Sequence, residues 1–215
     1  SASASADYLV CFVLAVDPKT KDRYIVDIIR RKGMGYQAQV DLIVQTSNKY
    51  GCGLVFCEAN QFQRVITDMV IRTSDTPIKA FYTVGKRKTT ATRLGMSQTY
   101  SANKNALDQG VPSLRMLLEN GKLRIPWAPE TRSTVEMWMT EMQAFGWADG
   151  KLQGVGAHDD TVLAMWMADH ACQVGGSFVS LMGAEDDPIN DIGFGVGDGY
   201  DTDVPDFSGE RGFAW

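Results

Sequence analysis

The sequence predicts an α/β domain built on a mixed sheet. Three observations carry that reading: two β-branched apolar runs joined by a proline-containing turn, a short wholly apolar run flanked by segments of helical period, and a final apolar helix announced by adjacent aspartates. "YLVCFVLAV" (Tyr8–Val16) is the first strand, "DPKTKD" the turn, with Pro18 presetting φ, and "RYIVDIIRR" (Arg23–Arg31) the second strand of a hairpin. Tyr36–Tyr50 places Val40, Ile43 and Val44 at helical spacing. "GLVFCEAN" (Gly53–Asn60) is apolar throughout until Glu58, the pattern of a central strand covered on both faces. Gln61–Arg72 reads as helix, Ile78–Val84 as strand, and Ser113–Gly121 as a short helix stopped by Gly121. Ser133–Phe145 is amphipathic, with Ser133 and Glu136 placed as a capping box; Thr161–Val174 is the last helix.

The charge is unevenly placed. The 215 residues carry a net −5, yet nine acids stand between Glu185 and Trp215 against Arg211 alone, which leaves the body mildly basic. Residues 1–174 read as the folded domain and 175–215 as an acidic, Gly-rich tail without periodicity. A basic body admits a polyanionic partner without requiring one. No run approaches the ~20 apolar residues of a bilayer span, and "SASASADYLV" lacks the basic start of a secretory signal. Cys11, Cys52, Cys57 and Cys172 sit in apolar surroundings without a CxxC pair, as small buried hydrophobes in a reducing compartment do. "VGKRKTT" is no P-loop: Ala80 replaces the first glycine and Arg87 the hydroxyl residue, so no nucleotide-driven motor resides here.

Three acids could carry chemistry. Glu58 ends a strand, where open α/β sheets bind ligands; it is equally well the first solvated residue after that strand. Asn60 and Gln63 follow it as orienting candidates. Asp159 and Asp160 precede an apolar helix. One of them serves as an N-cap, worth ~1 kcal/mol; capping does not explain two. A pair converging with Glu58 would repel unless a hard cation such as Mg²⁺ stood between them, and two such ions would serve phosphodiester cleavage. His158 either orients the aspartates or is a solvated loop residue. Lys86, Arg87, Lys88 and Arg93, interleaved with hydroxyls, suit phosphate-backbone contact, or form a solvated loop.

Taken together, "LVFCEANQFQRVI" (Leu54–Ile66), "ENGKLRIPW" (Glu119–Trp127) and "AHDDTVLAMWMADHA" (Ala157–Ala171) resemble the C-terminal nuclease domain of tailed-phage terminase large subunits, in order and in company, and the likeness covers most of residues 5–172. The resemblance implies an RNase H-like fold and a Mg²⁺- or Mn²⁺-dependent endonuclease that cuts concatemeric double-stranded viral DNA during packaging. Glu58, Asp159 and Asp160 match the family's metal-binding acids, and Asp7 matches a secondary acidic position. The implied partners are DNA, the portal protein, the small terminase subunit and an ATPase domain in the same parent polypeptide, all in the host cytoplasm. The family's first strand, with its leading aspartate, is expected upstream of Ser1. Two other readings stand beside this one: a non-catalytic module docking DNA or portal, and an RNase H-like resolvase or transposase.

Overall fold

A computed structural model describes residues 8–60, 63–84, 99–148, 151–155 and 158–179. Asp7, the basic residues Lys86, Arg87, Lys88 and Arg93, and the tail from 180 onward lie outside the described residues.

The α/β class with mixed pairing holds. β1 (Tyr8–Val16) and β2 (Arg23–Lys32) form the expected antiparallel hairpin, with a register shift at Val13/Leu14. Its turn is built by Asp17, whose Oδ1 accepts from the amides of Lys19 (2.7 Å) and Thr20 (3.1 Å). α1 (Tyr36–Lys49) follows, then β3 (Val55–Glu58), α2 (Gln63–Thr73), β4 (Ile78–Thr83) and β5 (Thr99–Ala102). β3, β4 and β5 pair in parallel, in that order. After α3 (Pro112–Glu119), β6 (Leu123–Arg124) adds in parallel to β2. α4 (Pro129–Ala144), the hairpin β7 (Phe145–Ala148) and β8 (Lys151–Gly154), and α5 (Asp160–Val179) complete the chain.

Three expectations need correction. α4 begins a turn before Ser133: Pro129 supplies a preset φ, and Thr131 Oγ1 accepts from the Ala128 amide (3.2 Å), so the Ser133–Glu136 box is not the cap. Phe145 opens a strand instead of closing the helix. α5 runs five residues past Val174, through Gly175 and Gly176, where each glycine costs about 1 kcal/mol relative to alanine.

Helices cover both sides of the strands. On one, Val40 of α1 and Val70 of α2 pack on Cys57 and Ile78. On the other, the main core gathers Phe81, Leu114, Trp138, Met142, Met165 and Trp166 from β4, α3, α4 and α5. α5 is pinned there by hydrogen bonds: Trp166 Nε1 donates to the Gln109 carbonyl (2.9 Å), His170 Nε2 lies 2.8 Å from the same oxygen, and Tyr100 Oη lies 3.1 Å from His170 Nδ1.

β3 is covered on both faces, as its composition predicts, but among the described residues only β4 flanks it. Its second edge faces a groove of about 750 Å³ that separates it from β1. All nine residues of β1 line this groove. Side chains alternate between faces, so a space that touches every residue meets the strand along its edge. Among the described residues no strand pairs with the β1 edge away from β2 or with the β3 edge away from β4. The floor is apolar, with Leu163, Ala164, Met167 and Ala168 of α5, and Glu58 and Asp160 also line it.

Candidate functional site

Glu58 ends β3 at the carboxyl edge of the parallel sheet, where the chain leaves the strand and side chains face a cleft. Burial pushes its carboxyl above the ordinary range, and the nearby Asp159 charge adds to the shift. Two contacts oppose it: the Asn60 side-chain amide donates to Glu58 Oε1 (2.9 Å), and Lys104 lies close enough to favour the ionised form. Thr67 Oγ1 donates to the Glu58 carbonyl (2.7 Å), tying the strand end to α2. A cavity of about 470 Å³ beside Glu58 is shared with Asn60, Tyr82, Thr83 and Lys104.

Asp159 and Asp160 open α5. Asp160 is raised first by burial, then by the charges of Asp159 and Glu141, while His158 and Arg30 pull the other way. His158 Nδ1 stands 3.8 Å from Asp160 Oδ2, and its ring meets Tyr8 edge-on with centroids 5.1 Å apart. Tyr8 also lies under the Arg30 guanidinium, 3.6 Å from the ring centre. The structure thus brings Glu58, Asn60, His158, Asp159 and Asp160 into one region. Gln63 is exposed at the groove's edge, and the hydrogen bonds recorded there use its backbone. Asp7, Lys86, Arg87, Lys88 and Arg93 lie outside the described residues.

The donor chemistry suits a hard divalent ion. These are carboxylate oxygens, those of Glu58 and Asp160 partly withdrawn from water and both raised by the Asp159 charge, a repulsion that a cation would relieve. Among the described residues, however, no three His, Cys, Asp or Glu side chains form a ready metal cluster. The thiols are poor nucleophiles: burial pushes Cys11, Cys57 and Cys172 up to about 12.

No family profile matches the chain, and no curated protein matches it in sequence. Among solved structures it is similar to the large terminase nuclease from thermophilic phage G20c, crystallised with bound cobalt. The identity is 14%, over 76% of this chain and 81% of that one, with a TM-score of 0.37. That degree of likeness leaves the assignment to the site's own geometry. No helix among the described residues is long and apolar enough to cross a membrane.

The sequence reading missed Lys104, Arg30, Tyr8, Thr67 and Glu141. Lys104 follows β5 and so stands at the same carboxyl edge as Glu58, but finding it requires knowing that β5 runs parallel to β4. Arg30 and Glu141 lie within regular elements, where a charged residue carries no local signal of what it faces.

Proposed function

We propose that this chain is an RNase H-like, metal-dependent DNA endonuclease domain of the phage large-terminase kind. The observation that carries the reading is Glu58, at the end of a parallel strand, within electrostatic reach of Asp159 and lining the same groove as Asp160. In this reading Glu58, Asp159 and Asp160 hold Mg²⁺ or Mn²⁺, with Asp7 contributing from the edge of the site. The ions supply the activation of water and the stabilisation of the leaving oxygen. Asn60 fixes the Glu58 rotamer, His158 neutralises part of the Asp160 charge, and Gln63 helps order the strand end. Lys86, Arg87, Lys88 and Arg93 grip the phosphate backbone of double-stranded DNA. The setting is viral genome packaging in the host cytoplasm, with portal, small subunit and a linked ATPase domain as partners.

A strand upstream of Ser1, ending in an aspartate, belongs to this reading. The groove supports it: among the described residues no strand pairs with either flanking edge, its floor is apolar, and Glu58 and Asp160 line it.

Plasmid nicking in Mn²⁺ by a polypeptide that includes the upstream strand tests the proposal. Glu58→Gln and Asp160→Asn should each lower the rate about a hundredfold or more. Nicking that persists unchanged in both variants overturns it. That no three-donor cluster forms among the described residues favours a second reading, a non-catalytic module that docks DNA or portal. Calorimetry separates the two, because a docking module takes up no Mn²⁺ at millimolar concentration yet retains its partner.

A further inference from the structure

The helix that presents the two aspartates is not capped by either of them. α5 starts at Asp160, and its first internal hydrogen bond runs from the Leu163 amide to the Asp159 carbonyl (3.1 Å). Asp159 therefore holds the N-cap position, from which a side chain normally accepts from the second or third helical amide. Instead the Asp159 carboxylate accepts from the Gly154 amide (3.2 Å), back toward β8. The amide it would have capped, Thr161, donates to Oε2 of Glu141 (3.1 Å), and the Thr161 hydroxyl donates to the same oxygen. Glu141 comes from α4, twenty residues earlier in the chain. It is buried, 4% exposed, and its other oxygen is held by Arg30 (3.0 Å).

We infer that Glu141 is a positioning residue. By capping α5 from a neighbouring helix, it keeps Asp160 and the Asp159 oxygen not taken by the Gly154 amide off the helix start, where they can face a cation. The inference rests on the cation reading proposed above. The reasoning is one of competition. A helix start carries unsatisfied amides and a positive dipole end, and an adjacent carboxylate is drawn to them. An aspartate folded onto its own helix has spent an oxygen lone pair and lost the rotamer that points outward. A third carboxylate on those amides removes the competition. Arg30 offsets part of the charge of Glu141, which still adds to the repulsion at Asp160, and the stacking of Arg30 on Tyr8 fixes that end of the link.

The test uses the whole chain and two variants, with Mn²⁺ alone as the probe. Glu141→Ala removes the cap. Its Mn²⁺ affinity by calorimetry should fall about tenfold or more. Glu141→Gln keeps an acceptor oxygen on Thr161 and should stay within about threefold of the native chain. The crystal structure of Glu141→Ala, read alongside, should show an Asp159 or Asp160 oxygen turned onto the Thr161 amide. Glu141→Ala that is less stable but binds Mn²⁺ as the native chain does, or whose aspartate oxygens have not moved, overturns the inference. If the native chain itself takes up no Mn²⁺, the cation reading fails, and the crystal structure still decides whether Glu141 holds the aspartates off the helix. Should Glu141→Ala fail to fold, Arg30→Leu/Glu141→Leu removes the cap without stranding the Arg30 charge and gives the same readouts.

Discussion

The start and the middle of one helix treat the same amino acid in opposite ways. Nine residues into α5, Asp169 is 2% exposed and fully engaged: Arg23 Nε donates to one oxygen at 2.8 Å and Gln173 Nε2 to the other at 2.7 Å. At the helix start, Asp160 has a histidine nitrogen at 3.8 Å and acidic neighbours whose charges raise it. The satisfied aspartate joins β2 to α5 and holds the fold. Among the described residues the other accepts no hydrogen bond at its carboxylate, and it is the one that the proposed function assigns to a cation. The presence of carboxylates therefore does not distinguish structure from function here; the completeness of their hydrogen bonding does.

The largest effect expected from this contrast is on stability, at the satisfied aspartate. Asp169→Asn leaves the Arg23 guanidinium buried without its counter-charge and should cost ~3–5 kcal/mol in urea unfolding. Replacing both partners, Arg23→Met/Asp169→Leu, should recover most of that loss. If Asp160→Asn proves as damaging as Asp169→Asn, the contrast fails.

Next comes the response to a cation. A ligand at a hundred times its Kd stabilises the folded state by ~2.7 kcal/mol. Mn²⁺ at that excess should raise the Tm of the native chain and of Asp169→Asn alike, and should leave that of Asp160→Asn unmoved. Without the ion, Asp160→Asn should be slightly more stable than the native chain, by about 0.5 kcal/mol after solvent screening, because it relieves like-charge repulsion.

Much of this contrast was legible in the sequence, and the part that was not has a physical reason. The doubled aspartate stood out because capping needs only one acid, and Glu58 stood out because it ends an apolar run. Asp169 gave no such signal: its partner Arg23 is 146 residues away, and no local pattern encodes that separation. The same holds for Glu141, which looks like any polar residue of an amphipathic helix until α5 packs beside it. For the fold, long periodic elements and the first hairpin were readable. The short strands β5, β6, β7 and β8, none longer than four residues, were not, because two to four residues cannot display a period. The split between β1 and β3 was the least accessible feature. Composition reports that β3 is covered on both faces, and faces carry no information about edges.

The smallest expected effect is also the most specific, and it lies in the sign of a pH dependence. Asp22 belongs with the satisfied acids: hydrogen bonds from Lys122 first, and then from Arg124, hold its carboxyl below the ordinary range. An acid depressed in the folded state contributes stability above its ordinary value, 3.8, and loses it as pH falls through the folded one. Asp160 is raised, so the folded state holds its proton more tightly than the unfolded chain does. Stability then decreases as pH rises from its ordinary value, 3.8, through the raised one. Glu58 behaves likewise from 4.5 upward. At neutral pH, Asp22→Asn should therefore be less stable than the native chain and Asp160→Asn more stable. Both differences should shrink on acidification, the Asp160 one over a window above 3.8 and the Asp22 one over a window below it. Urea titrations of the two variants against the native chain, at half-unit steps of pH without divalent ions, measure this directly. Differences of the same sign at neutral pH would place Asp160 among the structural acids and remove the reason to seek a cation there.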